Sequence, residues 1–264
     1  VTVIFGILNT TPDSFSDGGT YLDHDVAVER GLALAEAGAD FVDVGGESTR
    51  PGAERVPEDV EHERVLPVIE DLAARGVAVS VDTMRASTAR LAVSAGARVI
   101  NDVSGGLADP EMHAVVAEHE VDYVAMDWAG LSHEVPDYDN VVRHVRDQLK
   151  LRVAELIVHG VNPSRIIVDP GIGFAKTAEQ NWQLLGHVGE LATLDTRVLI
   201  GVSRKRFLAP FAPEGAPADE RDEATAIISA LAAQAGVWGV RVHDVASTRR
   251  ALDVWHAWQR GAAS

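Results

Sequence analysis

AGADFVDVGGE at residues 37–47 and AGARVINDVSG at 95–105 repeat one phrase: a glycine where a helix would stop, a run of mostly branched apolar residues, then polar residues. AGVWGVRVHDV (235–245) is a looser third copy. Within these copies lie the runs FVDVGGE (41–47), RVINDVS (98–104) and WGVRVHD (238–244), and five more runs have the same character: VIFGILN (3–9), VAVSVDT (77–83), YVAMD (123–127), RIIVDPG (165–171) and VLIGVSR (198–204). Continuous apolar runs suit parallel strands buried on both faces. The amphipathic stretches between them can each form a helix, and a spacing of roughly 34 residues fits strand, crossover helix and two loops. The pattern predicts an α/β fold, a (β/α)8 TIM barrel, as one domain over residues 1–264. A doubly wound open sheet would share the alternation, but eight units with polar strand ends favour closure. Those ends are Asn9, Glu47, Asp82, Asn101, Asp127, Asp169, Ser203 and His243.

The length suits a single α/β barrel. The stretch richest in Pro, Gly and acid, residues 209–223, falls between the seventh strand and its helix, where barrels keep functional loops. With 23 basic and 40 acidic residues the formal charge is −17, which repels nucleic acid and anionic membranes. Neither is expected as a partner. There is no Cys, hence no disulfide, thiolate nucleophile or Cys-based metal site. Without a long apolar run or a signal-like start, a soluble cytoplasmic protein is expected.

Chemistry in such barrels sits on the rim at the C-terminal ends of the strands. A hydrolytic zinc site is disfavoured because, of ten His, only His243 falls on a strand end. A glycosidase would need two facing rim carboxylates; Glu47 is available, but the fourth and seventh strands offer Asn101-Asp102 and Ser203-Arg204-Lys205. What remains has two halves. Arg50, Arg204, Lys205, Arg241 and His243 form a cationic set after the second, seventh and eighth strands, suited to an anion such as a diphosphate. Asp82, Asn101 and Asp169 stand opposite and suit a flat heterocycle with a guanidine-like donor edge. Surface salt bridges or helix caps would use any one of these residues equally well.

Three loops carry the rest. NTTPDSFSDGG (9–19) combines Pro12, Gly18 and Gly19 with an out-of-place Phe15 and reads as a closing lid. GGESTRPG (45–52) mixes glycines, hydroxyls and a cation, and DPGIGFAKT (169–177) lets backbone approach a ring on which Phe174 could stack. Together with SVDT (80–83), INDVSGG (100–106), GVSRK (201–205) and RVHDV (241–245), these segments closely resemble the dihydropteroate synthase family of pterin-binding enzymes over the whole chain.

The resemblance implies displacement of pyrophosphate from a pterin methylene by p-aminobenzoate. It implies that Asp82, Asn101, Asp169, Phe174 and Lys205 hold the pterin, that Asn9 binds Mg²⁺, and that Asn9, Arg50, Arg241 and His243 grip the diphosphate. Phe15, Thr49, Pro51, Ser203 and Lys205 would form the p-aminobenzoate pocket. Lys205, Asp82, Asp169, Arg241 and His243 are the expected catalytic set. A homodimer through the outer helices is implied too, compatible with Trp255 and Trp258 on the last helix. Arg241→Ala and His243→Ala would weaken binding of the diphosphate more than that of the bare pterin alcohol. The chain departs from the family after the fifth strand, where Met126-Asp127-Trp128-Ala129 replaces a Met-His pair followed by an aromatic and Arg. An extra carboxylate there would oppose the diphosphate, so Asp127→His would raise the rate modestly at low salt. A paralogue that binds pterin with an altered arylamine or little turnover is the alternative. A methyltetrahydrofolate-dependent corrinoid methyltransferase shares the pterin pocket but has no diphosphate for the cations to hold.

Overall fold

The computed structural model describes residues 2–11, 20–47, 55–130 and 135–262. Eight parallel strands, β1 (Val3–Asn9), β2 (Phe41–Gly45), β3 (Val79–Asp82), β4 (Val99–Asp102), β5 (Asp122–Met126), β6 (Ile166–Asp169), β7 (Arg197–Ile200) and β8 (Gly239–Val242), pair in sequence order and close where β1 meets β8. Eight helices alternate with them: α1 (Thr20–Glu36), α2 (Glu58–Ala74), α3 (Ala86–Ser94), α4 (Met112–His119), α5 (Val141–Val158), α6 (Ala178–Gly186), α7 (Asp222–Gln234) and α8 (Val245–Ala262). The expected (β/α)8 barrel is what the chain forms. No helix among the described residues is long and apolar enough to cross a membrane.

The strands are shorter than the apolar runs suggest. Glu47, Asp127, Ser203 and His243 lie past the last residues of β2, β5, β7 and β8 and belong to the loops. Inside each strand a period of two sorts the side chains. Ile4, Leu8, Val42, Val44, Val79, Val81, Ile100, Ala125, Ile166, Val168, Val198, Ile200, Val240 and Val242 join the core between sheet and helices. Phe5, Val99, Val124, Ile167 and Leu199 form a separate cluster, the floor of the barrel interior. Phe41 stacks on Phe5 at 4.7 Å and Trp238 meets it edge-on, closing that floor. Two residues further along on the same inward parity stand Asn101 on β4, Met126 on β5 and Asp169 on β6.

One outward-facing polar group carries structural weight. Asp102 is fully buried and accepts hydrogen bonds from the Ser104 amide (2.8 Å) and hydroxyl (2.7 Å), the Gly106 amide (2.8 Å) and the Tyr123 hydroxyl (2.8 Å). This ties the turn after β4 to β5. Tyr123→Phe removes one bond to a buried charge and should cost about 1.5–3 kcal/mol of stability. The strand ends should be unaffected, because the group faces the helices. Denaturant melts of the variant check the loss.

Candidate active site

The mouth is built by register. Asn9 lies level with Gly45, Gly45 with Asp82, and Asp82 with Asn101, so the ends of β1 to β4 form one layer. One position lower on the inward face of β2 is Asp43, fully buried. Arg241 reaches from β8 across the interior, donating from Nε to Asp43 Oδ2 (2.5 Å) and from Nη2 to Asp82 Oδ2 (2.6 Å). Asn101 donates to the same Asp43 oxygen at 3.0 Å. Closure of the barrel makes these contacts possible, since β8 borders β1 and neither β2 nor β3.

This arrangement leaves Asp43 Oδ1 and Asp82 Oδ1 buried without hydrogen-bond donors. A desolvated carboxylate oxygen without a donor is costly, so the pair marks where a ligand's N–H groups fit. Burial pushes the Asp82 carboxyl up to about 7, against the pull of Arg241 and with further upward push from Asp43. Asp169, buried at the end of β6, is raised as well, mainly by burial, with Lys205 opposing. Its Oδ1 accepts from the Gly171 amide at 2.7 Å.

Lys205 lies within electrostatic reach of Asp169. Its ammonium donates to the Ile172 carbonyl and sits 4.5 Å from the centre of the Phe174 ring, a cation–π contact. Burial lowers Lys205 to about 7, opposed by Asp169 and reinforced by Arg241 and Lys176. The loop carrying Phe174 must pass close to this lysine. Gly173 has φ +81°, and a Cβ there would lie 2.6 Å from Lys205 Cδ, so only glycine fits. Ser203 and His243 are brought together: the Ser203 hydroxyl accepts the His243 amide at 3.1 Å and lies 2.8 Å from its Nδ1. A hydroxyl already accepting there can donate to Nδ1, which leaves Nε2 of the neutral ring as the proton carrier.

Not every cation of the expected anion site joins it. Arg204 turns away and grips Asp222 at the start of α7 with two bonds, 2.9 and 2.7 Å. Arg50, Phe15, Thr49 and Pro51 lie outside the described residues. Asp127 is not the free charge expected from the sequence. It pairs at 2.8 Å with Lys176, and the two side chains are 9% and 1% exposed, so the repulsion of a diphosphate by residue 127 is cancelled locally. Beside it, between the end of β5 and α5, opens a cavity of about 300 Å³ lined by Met126, Asp127, Trp128, Tyr138, His144 and Arg152. It holds none of the sequence-predicted site residues.

The expected Mg²⁺ is corrected. Asn9, half-buried at the end of β1, offers one neutral oxygen, and among the described residues no three His, Asp or Glu side chains converge on a metal position. Mg²⁺ favours carboxylate oxygens, and the carboxylates in and just below this layer, Asp82 and Asp43, are already held by Arg241. The residues present do not fit a resident Mg²⁺ site.

Two members of the site escaped the sequence reading. Asp43 sits in the middle of an apolar run; its signal was parity, two residues before Gly45 on the inward face. Lys176, in the DPGIGFAKT segment, had no readable role because its partner is 49 residues away.

Residues 5–243 match the family described as pterin binding enzyme. The chain is 51% identical over 263 residues to dihydropteroate synthase of Mycobacterium leprae, covering 97% of this chain and 93% of that one. Among solved structures, the Xanthomonas albilineans dihydropteroate synthase with 4-aminobenzoic acid superposes with a TM-score of 0.92 at 44% identity, over 98% of this chain and 93% of that chain. The same organism's enzyme in complex with 7,8-dihydropteroate gives 0.89 at 41% identity, covering 98% and 94%. With its family match spanning nearly the whole barrel, the chain belongs to the pterin-binding enzymes, in the dihydropteroate synthase family.

Proposed function

We propose that the barrel mouth condenses 6-hydroxymethyl-7,8-dihydropterin pyrophosphate with p-aminobenzoate, giving 7,8-dihydropteroate and pyrophosphate in folate biosynthesis. The observation that carries this reading is the pair of buried, donor-less oxygens on Asp43 and Asp82, in a mouth that also holds the Lys205–Phe174 contact. A pterin presents a row of ring N–H donors to such oxygens and a flat face to the aromatic ring. Asp82, Asn101 and Asp169 hold its edge, and Phe174 and Lys205 cover its face.

The arylamine nitrogen is neutral and nucleophilic at pH 7, so no strong base is required. Its lone pair attacks the pterin methylene, the carbon–oxygen bond breaks, its electrons leave with pyrophosphate, and an N–H proton passes to solvent. The protein's task is to stabilise separating charges. Buried carboxylates favour cationic character on the pterin side. Arg241, two of whose N–H groups bind Asp43 and Asp82, keeps others for the leaving anion beside His243, with Arg50. The family resemblance assigns the arylamine to Phe15, Thr49, Pro51 and Ser203.

Pyrophosphate release from the pterin substrate, measured with and without p-aminobenzoate, tests the proposal. Release that requires the arylamine is the expected result, and no release, or release indifferent to it, would reject the synthase reading. The pH profile supplies a second check. Asp82 must be ionised to accept pterin donors, and with its carboxyl at about 7 binding falls as pH drops below that value. Lys205 must be protonated, and with its ammonium also at about 7 binding falls as pH rises above it. kcat/KM, which reports the free enzyme, should therefore peak near neutrality. Lys205→Arg, always charged, should lower the peak and flatten the alkaline limb; an alkaline limb unmoved in that variant would assign it to another group.

A cytoplasmic homodimer completes the reading. α7 and α8 pack on each other and leave Ile227, Leu231, Val254 and Trp258 between 55% and 77% exposed, an apolar stripe suited to a second copy. A purely monomeric species in sedimentation equilibrium would reject it.

A further inference from the structure

Asp127, where the chain departs from its family, is tied to the loop after β6 twice. Its amide donates to the Asp169 carbonyl at 2.9 Å, and its carboxylate accepts from Lys176 Nζ at 2.8 Å. The loop between those anchors, residues 170–175, carries the groups that meet Lys205: the Ile172 carbonyl and the Phe174 ring. Lys176 spends its remaining donors inside the same loop, on the carbonyls of Gly171 and Phe174, each at 3.3 Å. An ammonium has three N–H groups, and all three are used. The loop is also pressed onto the end of β5, for at Gly171, with φ +66°, a Cβ would lie 2.4 Å from the Asp127 carbonyl oxygen.

Burying an ammonium is costly without a counter-ion beside it, and a charge-assisted hydrogen bond to a carboxylate fixes its position on the two carbonyls. Asp127 is the carboxylate paired with it. We propose that Asp127 and Lys176 act as a positioning pair that orients the Phe174 ring and the Ile172 carbonyl toward Lys205, and so set the affinity for the pterin ring. Neither touches the reacting atoms. The inference rests on the reading above that Phe174 and Lys205 cover the pterin. Under it, Asp127→His removes the carboxylate on which Lys176 depends, so the rate gain expected from charge repulsion becomes a loss.

The decisive variant is Asp127→Leu/Lys176→Met, which removes both buried charges together and so avoids stranding either one. Its melting temperature and its KM for p-aminobenzoate, at saturating pterin substrate, should stay close to those of the unmutated protein. Its calorimetric affinity for 6-hydroxymethyl-7,8-dihydropterin should fall about tenfold or more, because the two loop carbonyls lose their donor. A merely structural pair predicts the reverse, recovered pterin affinity alongside recovered stability, and that result would overturn the proposal. Should the double variant not fold, Asp127→Asn keeps the shape and weakens the anchor. Pterin affinity unchanged in that variant overturns the proposal equally. No binding of the pterin alcohol by the unmutated protein would instead remove the reading of the site, and this inference with it.

Discussion

Asp169→Asn is expected to reduce pterin binding by about a hundredfold while the barrel stays folded. The carboxylate lies buried at the inward end of β6, with one oxygen on the Gly171 amide at 2.7 Å. An asparagine oxygen can keep that bond, so the loop after β6 should hold its course. The second position then changes from an acceptor carrying negative charge to an NH₂ donor, facing the pterin's own N–H groups and the field of Lys205 and Arg241. A hydrogen bond to a charged group is worth about 1.5–3 kcal/mol, and a buried donor left facing a donor adds about 1–3 more. Even the low end of that sum is close to a hundredfold in affinity. Calorimetry with 6-hydroxymethyl-7,8-dihydropterin measures it, and unchanged affinity in a folded variant would take Asp169 out of the site.

Arg241→Ala should be the most damaging single change at the mouth, and not in the way the sequence suggests. A residue that only gripped a diphosphate could be removed with the pterin alcohol still bound. Arg241 instead lies between Asp43 and Asp82, whose side chains are 0% and 5% exposed. Removing the cation strands two buried carboxylates, which costs about 3–5 kcal/mol. Pterin alcohol and pterin pyrophosphate should both lose affinity, while His243→Ala, whose ring partner is Ser203, should weaken the diphosphate selectively. The stability loss has a definite pH dependence. Arg241 pulls the Asp82 carboxyl down from where burial alone would put it, so without the arginine the folded state holds its proton to higher pH. Below that value the carboxyl is neutral and the penalty shrinks; above it the penalty is complete. Melts of the variant at pH 5 and pH 8 should show the larger deficit at pH 8. An equal deficit at both would mean that Arg241 supports the barrel by packing rather than by charge.

The architecture was legible in the chain because it rests on local patterns. A run such as VIFGILN or RIIVD has one low-energy role, a strand covered on both faces, and a polar residue at its end has nowhere to go but the rim. The ends of the strands were harder to read. Hydropathy continues past Ile200 to Val202, whereas β7 stops at Ile200, where cross-strand hydrogen bonding stops.

Which charges meet was decided only by the tertiary structure. Arg204 and Arg241 look alike as cations at strand ends, yet one turns outward to Asp222 and the other inward to Asp43 and Asp82. The reason is position together with closure: Arg204 lies in the turn past β7, with φ +60°, whereas Arg241 lies within β8. Arg241 stands on the inward side of β8, and closing the barrel brings it within 2.6 Å of carboxylates 198 and 159 residues away in sequence. Asp127 illustrates the same limit. Read along the chain it is an unmatched charge at the mouth, and only the folding of the β6 loop back onto β5 supplies the lysine that neutralises it. Hydrophobic alternation is a one-dimensional property and survives in the sequence; the pairing of buried charges depends on distances that do not exist until the sheet has closed.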